Sequence, residues 1–157
     1  MSSSDKNLTV ETATNLLPFA SPNLSWESND ETSQKGFTVS GVDNTPGKKA
    51  LFFILEAKPG KEHLVQGFLK DINEGVLQEP GTGPWMAWRY SKTTFGVFEG
   101  FPDAEARRAH INGPGGRNFL RTDLLQEMLA HPAQVHELDI QHGKWGTIFG
   151  QIVQPVA

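Results

Sequence analysis

The sequence has no cysteine among its 157 residues and only one tyrosine. The absence of cysteine excludes disulfide bonds, thiol nucleophiles and cysteine-ligated metals. Apolar runs are short, and none approaches the ~20 residues that a membrane-spanning helix requires. The first residues are polar and lack the apolar stretch of a signal peptide. We therefore expect a cytoplasmic protein with no membrane partner.

An excess of basic charge is also missing, because the formal net charge is −4. Neutralising a phosphate backbone requires clustered lysine and arginine, so a nucleic-acid partner is not expected. Two short basic pairs, Lys48-Lys49 and Arg107-Arg108, are typical of solvated surfaces. The five histidines show neither His-Glu-x-x-His nor His-x-His spacing, so no metal site is predicted.

The composition divides the chain into three regions. Residues 1–48 are rich in serine, threonine, asparagine and aspartate, which predicts a partly disordered N-terminal extension. Residues 49–142 carry the apolar periodicity of one folded domain. Residues 143–157 are predicted to form a C-terminal arm that follows this domain.

Periodicity within the domain indicates alternating strands and helices. A continuous apolar run at 51–55 predicts a buried strand, and apolar spacing over 64–76 predicts a helix. Segments 85–90 and 94–101 are aromatic strands separated by a tight hairpin. Asp103 is positioned to cap a following helix. A further helix ends near His131-Pro132, and the last strand is expected near 135–140.

This order, βαββαβ, predicts an α+β domain of ferredoxin-like topology, with a four-stranded antiparallel sheet and helices on one face. The other face would expose apolar side chains that a single copy cannot cover, which favours a homodimer. The glycine-rich segment 113–116 lacks the strand-to-helix context of a phosphate loop and is interpreted as an inter-helix loop.

Three local phrases resemble a known family. They are Leu55-Glu56-Ala57-Lys58-Pro59-Gly60-Lys61-Glu62, then Ser91-Lys92-Thr93-Thr94-Phe95-Gly96-Val97-Phe98, and Phe101-Pro102-Asp103 followed by Ala109-His110. Over about residues 49–142 the pattern resembles the antibiotic-biosynthesis monooxygenase family, which are dimeric α+β barrel proteins. The resemblance implies cofactor-independent oxygenation of an aromatic or polyketide-type small molecule in secondary metabolism.

The resemblance also nominates site residues. His110 matches the family's Ala-His position and would act as the base. Arg89 is a charged residue within an aromatic strand, where it could stabilise an anionic intermediate. Alternatively, His110 is a surface or helix-capping residue, and Arg89 pairs with Glu56 or Glu99 across the sheet. The aromatic strands and the later helices supply candidate walls for a substrate pocket: Phe53, Trp85, Trp88, Phe98, Phe119 and Met128. Strand alternation separates Trp85 from Trp88 but leaves open which face meets the helices.

Two other functions remain open at this stage. The same fold also supports decarboxylation, cyclisation or isomerisation without oxygen, and haem degradation is less expected. A non-catalytic ligand-binding dimer is the third hypothesis. It predicts that His110 and Arg89 are both engaged in intramolecular pairs and that no cavity is large enough for a bicyclic ligand.

Overall fold

The computed structural model describes residues 33–34, 36–41 and 45–144. Within these residues a six-stranded sheet packs against helices. The elements in chain order are β1 (Ser33–Gln34), β2 (Phe37–Gly41), β3 (Lys49–Glu56), α1 (Glu62–Val76), β4 (Trp85–Arg89), β5 (Thr94–Phe101), α2 (Ala104–Ile111), a 3-10 helix (Gly116–Leu120), α3 (Thr122–Met128) and β6 (Ala133–Asp139). None of the helices in these ranges is long and apolar enough to cross a membrane.

The strand order is β1-β2-β6-β3-β5-β4. Strands β6, β3, β5 and β4 form the predicted antiparallel core in the ferredoxin-like order, which confirms the α+β class. Two further strands extend this core, because β2 runs parallel to β6 and β1 runs antiparallel to β2. The sheet of the described residues therefore has two strands more than the four that were predicted.

The additional strands belong to the segment that was expected to be a partly disordered extension. Phe37 and Val39 alternate with polar residues, and both pack against the core from β2. The folded unit thus begins before the predicted boundary at residue 49. The remaining expectations for the extension concern residues 1–32, and those for the C-terminal arm concern mainly residues 145–157. Both segments lie outside the described residues.

The sheet register identifies the face that meets the helices. Phe53 on β3 lies opposite Val97 on β5 and Val135 on β6, so the three side chains share one face. All three belong to the buried core, together with Phe68 and Ile72 of α1. On β4 the same face carries Trp85, Ala87 and Arg89, because these residues pair with the core-facing positions of β5. Met86 and Trp88 point to the opposite face.

Helix ends are set by local chemistry and by close packing. The carboxylate of Asp103 accepts a hydrogen bond from the backbone N–H of Ala106 at 2.8 Å, which confirms the predicted cap of α2. Near the end of α1, a Cβ placed on Gly75 would lie 2.5 Å from the backbone nitrogen of Gly115. Only a glycine permits this approach, so α1 packs directly on the loop that follows α2.

Each basic pair contains one fully buried member, contrary to the expectation of solvated surfaces. The ammonium of Lys49 contacts Asp139 Oδ1 at 2.5 Å, and Arg107 Nη1 donates to the carbonyls of Ala50 and Leu138, both at 3.3 Å. Both side chains are 0 % exposed. Buried cations require such partners, and here they connect the sheet to a loop and to α2.

Candidate functional site

A cavity of about 80 Å³ lies between the helices and the core-facing side of the sheet. One water molecule requires roughly 10–15 Å³ on the same scale, so several waters or a small ligand would fit. Most of its walls are apolar, and three ionisable side chains interrupt them. The lining consists of Phe37, Val39, Leu51, Phe53, Ile72, Glu99, His110, Ile111, Gly115, Gly116, Phe119, Val135 and Glu137.

Phe119 organises the aromatic part of the wall. Its ring makes edge-to-face contacts with Phe37, Phe53 and Phe68, with ring centroids 5.2, 5.2 and 5.4 Å apart. Such contacts hold aromatic rings in fixed orientations and add to the free energy of burial. The 3-10 helix, the sheet and α1 therefore meet at this residue and shape the apolar end of the cavity.

The polar end of the cavity is built around His110, which is held between two glutamates. Nδ1 of His110 lies 2.6 Å from Glu79 Oε2, and Nε2 lies 3.1 Å from Glu99 Oε1. His110 is 4 % exposed and Glu99 is 1 % exposed. A buried imidazole with a carboxylate on each nitrogen is suited to hold and transfer a proton.

Glu79 is the anchored member of this cluster. Its Oε2 accepts a hydrogen bond from Thr82 Oγ1, and its Oε1 accepts one from the backbone N–H of Gly115, both at 2.8 Å. With Glu79 as acceptor, Nδ1 of His110 carries a proton, and this fixes the tautomer of the ring. The glycine-rich segment thus connects two helices, as predicted, and its N–H binds a carboxylate of the protein itself.

Burial and neighbouring charges change the pKa values of the two cluster residues that line the cavity, Glu99 and His110. Burial raises the pKa of Glu99 above its ordinary value, although contacts with His110 oppose this shift. For His110, burial lowers the pKa, but the contacts with Glu99 and Glu79 outweigh burial, so the net shift is upward. The Glu99–His110 pair therefore retains a proton more strongly than either isolated group would.

Trp85 approaches the same carboxylate from the neighbouring strand. It lies directly opposite Glu99 in the β4–β5 register, and its indole N–H lowers the pKa of that carboxyl. Geometry nevertheless gives neither Trp85 Nε1 nor Glu99 Oε2 a hydrogen-bond partner among the described residues, and both atoms are buried. The indole N–H therefore acts on the carboxyl from beyond the length of a well-formed hydrogen bond.

The structure does not bring Arg89 together with His110. The guanidinium of Arg89 donates to the carbonyls of Ser91 and Lys92 in the adjacent hairpin, and it lies 4.9 Å from the ring centroid of Phe95. Phe95 precedes Glu99 by four residues on β5, which corresponds to about 13 Å. Arg89 therefore stabilises the hairpin at the sheet edge, and neither predicted glutamate partner contacts it in the described hydrogen bonds.

The predicted pocket walls are divided among three environments. Phe53 and Phe119 line the cavity. Trp85 lies beside Glu99, while Met128, the last residue of α3, is fully buried in the core. Trp88 and Phe98 occupy the sheet face opposite the helices, where Trp88 stacks on Phe52 at a centroid distance of 5.8 Å. These two residues therefore do not contribute to the cavity.

The imidazole of His136 also lies on the opposite face. It contacts Ser40 Oγ at 3.1 Å and faces the ring of Phe52, and burial lowers its pKa. Within the described ranges, no group of three histidine, aspartate or glutamate side chains is arranged to hold a metal ion.

Sequence reasoning missed the carboxylates of the site. Glu99 was considered only as a partner of Arg89, yet strand alternation places it on the same face as Phe95, Val97 and Phe101. A glutamate at a core-facing position was the available signal. Glu79 follows a helix in a turn, where an acidic residue is ordinary, so no local pattern indicates its role.

The geometry meets one condition of the non-catalytic hypothesis, since His110 and Arg89 are both engaged in intramolecular contacts. The two cases differ in location. Arg89 is exposed at a hairpin, whereas His110 and Glu99 line a cavity. The fold and site together define a small α+β protein with a buried proton-sharing pair beside an apolar cavity.

Comparisons with known proteins agree with this class. No protein-family model matches the chain, and no curated protein matches it. Among solved structures, a Nitrosomonas europaea protein of unknown function is 33 % identical, with 64 % of this chain and 96 % of that chain covered, at a TM-score of 0.57. Two more distant structures share the fold.

One of these is a Mycobacterium tuberculosis protein, 16 % identical, with 61 % and 97 % of the two chains covered and a TM-score of 0.55. The other, from Caulobacter crescentus, is provisionally named an antibiotic biosynthesis monooxygenase. It is 19 % identical, with 61 % and 92 % of the two chains covered and a TM-score of 0.52. The chain therefore shares its α+β fold with a protein that carries the provisional name of an antibiotic biosynthesis monooxygenase.

Proposed function

We propose that the protein is a cofactor-independent enzyme that removes a proton from an electron-rich aromatic small molecule and allows the resulting carbanion to react with oxygen. The observation that supports this proposal most directly is the Glu99–His110 pair at the wall of an apolar, aromatic cavity. A base with a raised pKa in a cavity of low polarity can accept a proton from a weakly acidic carbon.

The reaction can be written with an anthrone as the model substrate. The base takes one proton from the ring methylene, and the carbanion transfers electrons to oxygen to form a carbon–oxygen bond. Loss of the second methylene hydrogen and cleavage of the oxygen–oxygen bond give a quinone. One oxygen atom enters the ring carbon, and the other leaves as water with the two hydrogens. Oxygen is the only oxidant in this balance.

Anthrone turnover with an oxygen electrode tests the proposal. We expect oxygen uptake to equal quinone formation, and His110→Asn to lower the rate by about two to four orders of magnitude, as loss of a general base usually does. Arg89→Gln should leave the rate unchanged, because its guanidinium binds hairpin carbonyls. Unchanged turnover in His110→Asn would contradict the role of the Glu99–His110 pair in taking the proton.

A non-oxidative proton transfer is the second candidate, and the same pair favours it. An imidazole and a carboxylate that share a proton can return it to another carbon of the substrate, which is an isomerisation. Product formation without oxygen uptake, at the same rate under nitrogen, would select this reaction. His110→Asn should impair it equally, so the oxygen dependence alone separates the two.

We also propose that two copies associate through the sheet face opposite the helices. In the described part of the chain, all helices pack on the other face. The β4 and β5 positions Met86 and Phe98 are opposite each other on the helix-free face, and Met86 is 43 % exposed. Phe52 and Trp88 add stacked aromatic rings to the same face. A second copy would remove this apolar surface from water.

A further inference from the structure

The second carboxylate oxygen of Glu99 is the most unusual polar atom at the cavity. Glu99 Oε1 faces His110, whereas Oε2 is buried and has no hydrogen-bond partner among the described residues. Glu99 itself lines the cavity. A buried acceptor without a donor is rare in folded proteins, and such an atom marks a place where a ligand or a water molecule supplies the missing hydrogen bond.

His110 is less available to a ligand than Glu99. Both of its ring nitrogens lie within hydrogen-bond distance of a carboxylate, and Glu79 is held in turn by Thr82 and Gly115. A ligand would have to displace one of these carboxylates to reach a nitrogen of His110. The imidazole therefore acts on a ligand through Glu99, which it positions and with which it shares a proton.

The charges around the cavity determine which ligand can approach. The lining includes two glutamates, Glu99 and Glu137, and contains no lysine or arginine. Glu137 has Arg107 Nη2 at 3.9 Å on its buried side. The other possible cation, His110, lies between two carboxylates. An anionic ligand would thus meet like charges in a poorly solvated site, which costs free energy.

We propose that Glu99 is the specificity-determining residue of the cavity: it accepts a hydrogen bond from an uncharged aromatic ligand that carries a donor group, and it disfavours carboxylates. This inference rests on the proposed function, because it concerns the same cavity. The aromatic wall around Phe119 holds the ring of the ligand, and Glu99 Oε2 receives the donor.

Three naphthalene derivatives of similar size separate these contributions in the full-length protein. 2-Naphthol carries a donor and is neutral at pH 7, 2-methoxynaphthalene lacks the donor, and 2-naphthoate is anionic. We expect 2-naphthol to bind about tenfold more tightly than either of the others, which corresponds to the contribution of one good hydrogen bond. Ligand-observed nuclear magnetic resonance or calorimetry measures the three affinities.

Glu99→Gln tests the residue, and Glu137→Gln serves as the matched control in the same cavity. Glu99→Gln should bring the affinities for 2-naphthol and 2-naphthoate to within about twofold, whereas Glu137→Gln should preserve the preference for 2-naphthol over 2-methoxynaphthalene. Circular dichroism confirms that each variant folds, and the comparison of the three ligands in the wild-type protein needs no variant.

Each outcome has a distinct meaning. Equal affinities of the wild-type protein for the three ligands would overturn the role of Glu99 but keep the cavity as an aromatic pocket. A preference that survives Glu99→Gln, or that disappears only in Glu137→Gln, would also overturn it. If none of the three ligands binds, the aromatic pocket itself is wrong, and the proposed function fails with it.

Discussion

At the scale of single residues, His110 and Glu99 are linked to stability because both bind protons more strongly in the folded chain. Their ordinary pKa values are 6.5 and 4.5, and folding raises both. A group with a raised pKa contributes stability that is complete below its unfolded pKa and is lost as pH rises through the folded pKa. For this pair, the loss begins above about pH 4.5 and continues beyond pH 6.5.

Glu99→Gln should therefore flatten the dependence of stability on pH. The wild-type protein is expected to lose free energy of unfolding between pH 5 and pH 8 relative to this variant, because the variant lacks the carboxyl and weakens the effect on His110. His136 has a lowered pKa and acts in the opposite direction, but it is unchanged in both proteins. Urea unfolding at four pH values measures the difference.

Parallel unfolding curves for the two proteins across this range would contradict the shared proton. The result would also remove the main reason for assigning base chemistry to His110. Because His110 is buried between carboxylates, we further expect His110→Asn to lower the melting temperature, so turnover must be compared at a temperature where both proteins are folded.

The sequence nominated His110 as a candidate but gave no sign of the two carboxylates that contact it, because these lie far from it along the chain. Glu79 is 31 residues from His110, and their contact depends on the packing of α1 against the loop after α2. No local sequence pattern predicts a contact between residues so far apart along the chain. Arg89 was nominated because a charged side chain in an aromatic strand requires a partner. An edge strand allows the side chain to reach the hairpin backbone instead.

At the scale of elements, α1 offers a matched pair of glycines. Gly67→Ala adds a methyl group that meets nothing within 4 Å, so it should stabilise the protein by about 0.5–1 kcal/mol through the helix propensity of alanine. Gly75→Ala would place its methyl group 2.5 Å from the backbone of Gly115 and should destabilise the protein by about 1–3 kcal/mol. Thermal and urea unfolding of both variants test the prediction.

Equal effects of the two substitutions would show that the contact between α1 and the loop at Gly115 is not close-packed. Since the same loop donates a hydrogen bond to Glu79, Gly75→Ala should also reduce turnover. Gly67→Ala should leave turnover unchanged, because residue 67 is exposed and remote from the cavity residues.

Strand β2 was the longer of the two strands that the sequence analysis missed. Long-range pairing with β6 holds it, while its local composition resembles the polar segment before it. The helices and the other strands were predictable because each has its own apolar period. β2 offers only Phe37 and Val39 as an alternating pair, which is too short a pattern to distinguish from apolar residues in a tail.

Two truncated chains test the contribution of β2. A chain that begins at residue 33 keeps β2, and a chain that begins at residue 45 lacks it. Removing β2 exposes the edge of β6 and takes Phe37 away from Phe119. We expect the shorter chain to melt on the order of 10 °C below the longer one and to lose affinity for 2-naphthol. Equal melting temperatures would show that β2 adds no stability to the core.

At the scale of the whole molecule, the predicted topology was correct because the order of periodic elements restricts the connections to one small set. The sequence could not indicate which sheet face is covered by helices, because β4 carries a tryptophan on each of its two faces. The structure places Trp85 on the sheet face that packs against the helices. Trp88 lies on the opposite, helix-free face, here called the open face. A Cβ on Gly96 would overlap the ring of Trp88, so that ring lies flat across the open face.

The open face leads to a prediction about assembly. Met86 lies on it and is 43 % exposed, whereas Leu120 is 70 % exposed at the end of the 3-10 helix. If two copies associate through the open face, Met86→Lys introduces a charge into the interface and should shift sedimentation from dimer to monomer at micromolar concentration. Leu120→Lys adds the same charge outside the interface and should leave the dimer intact. A monomeric wild-type protein, or dissociation caused by Leu120→Lys alone, would show that the open face is covered in another way or is not an interface.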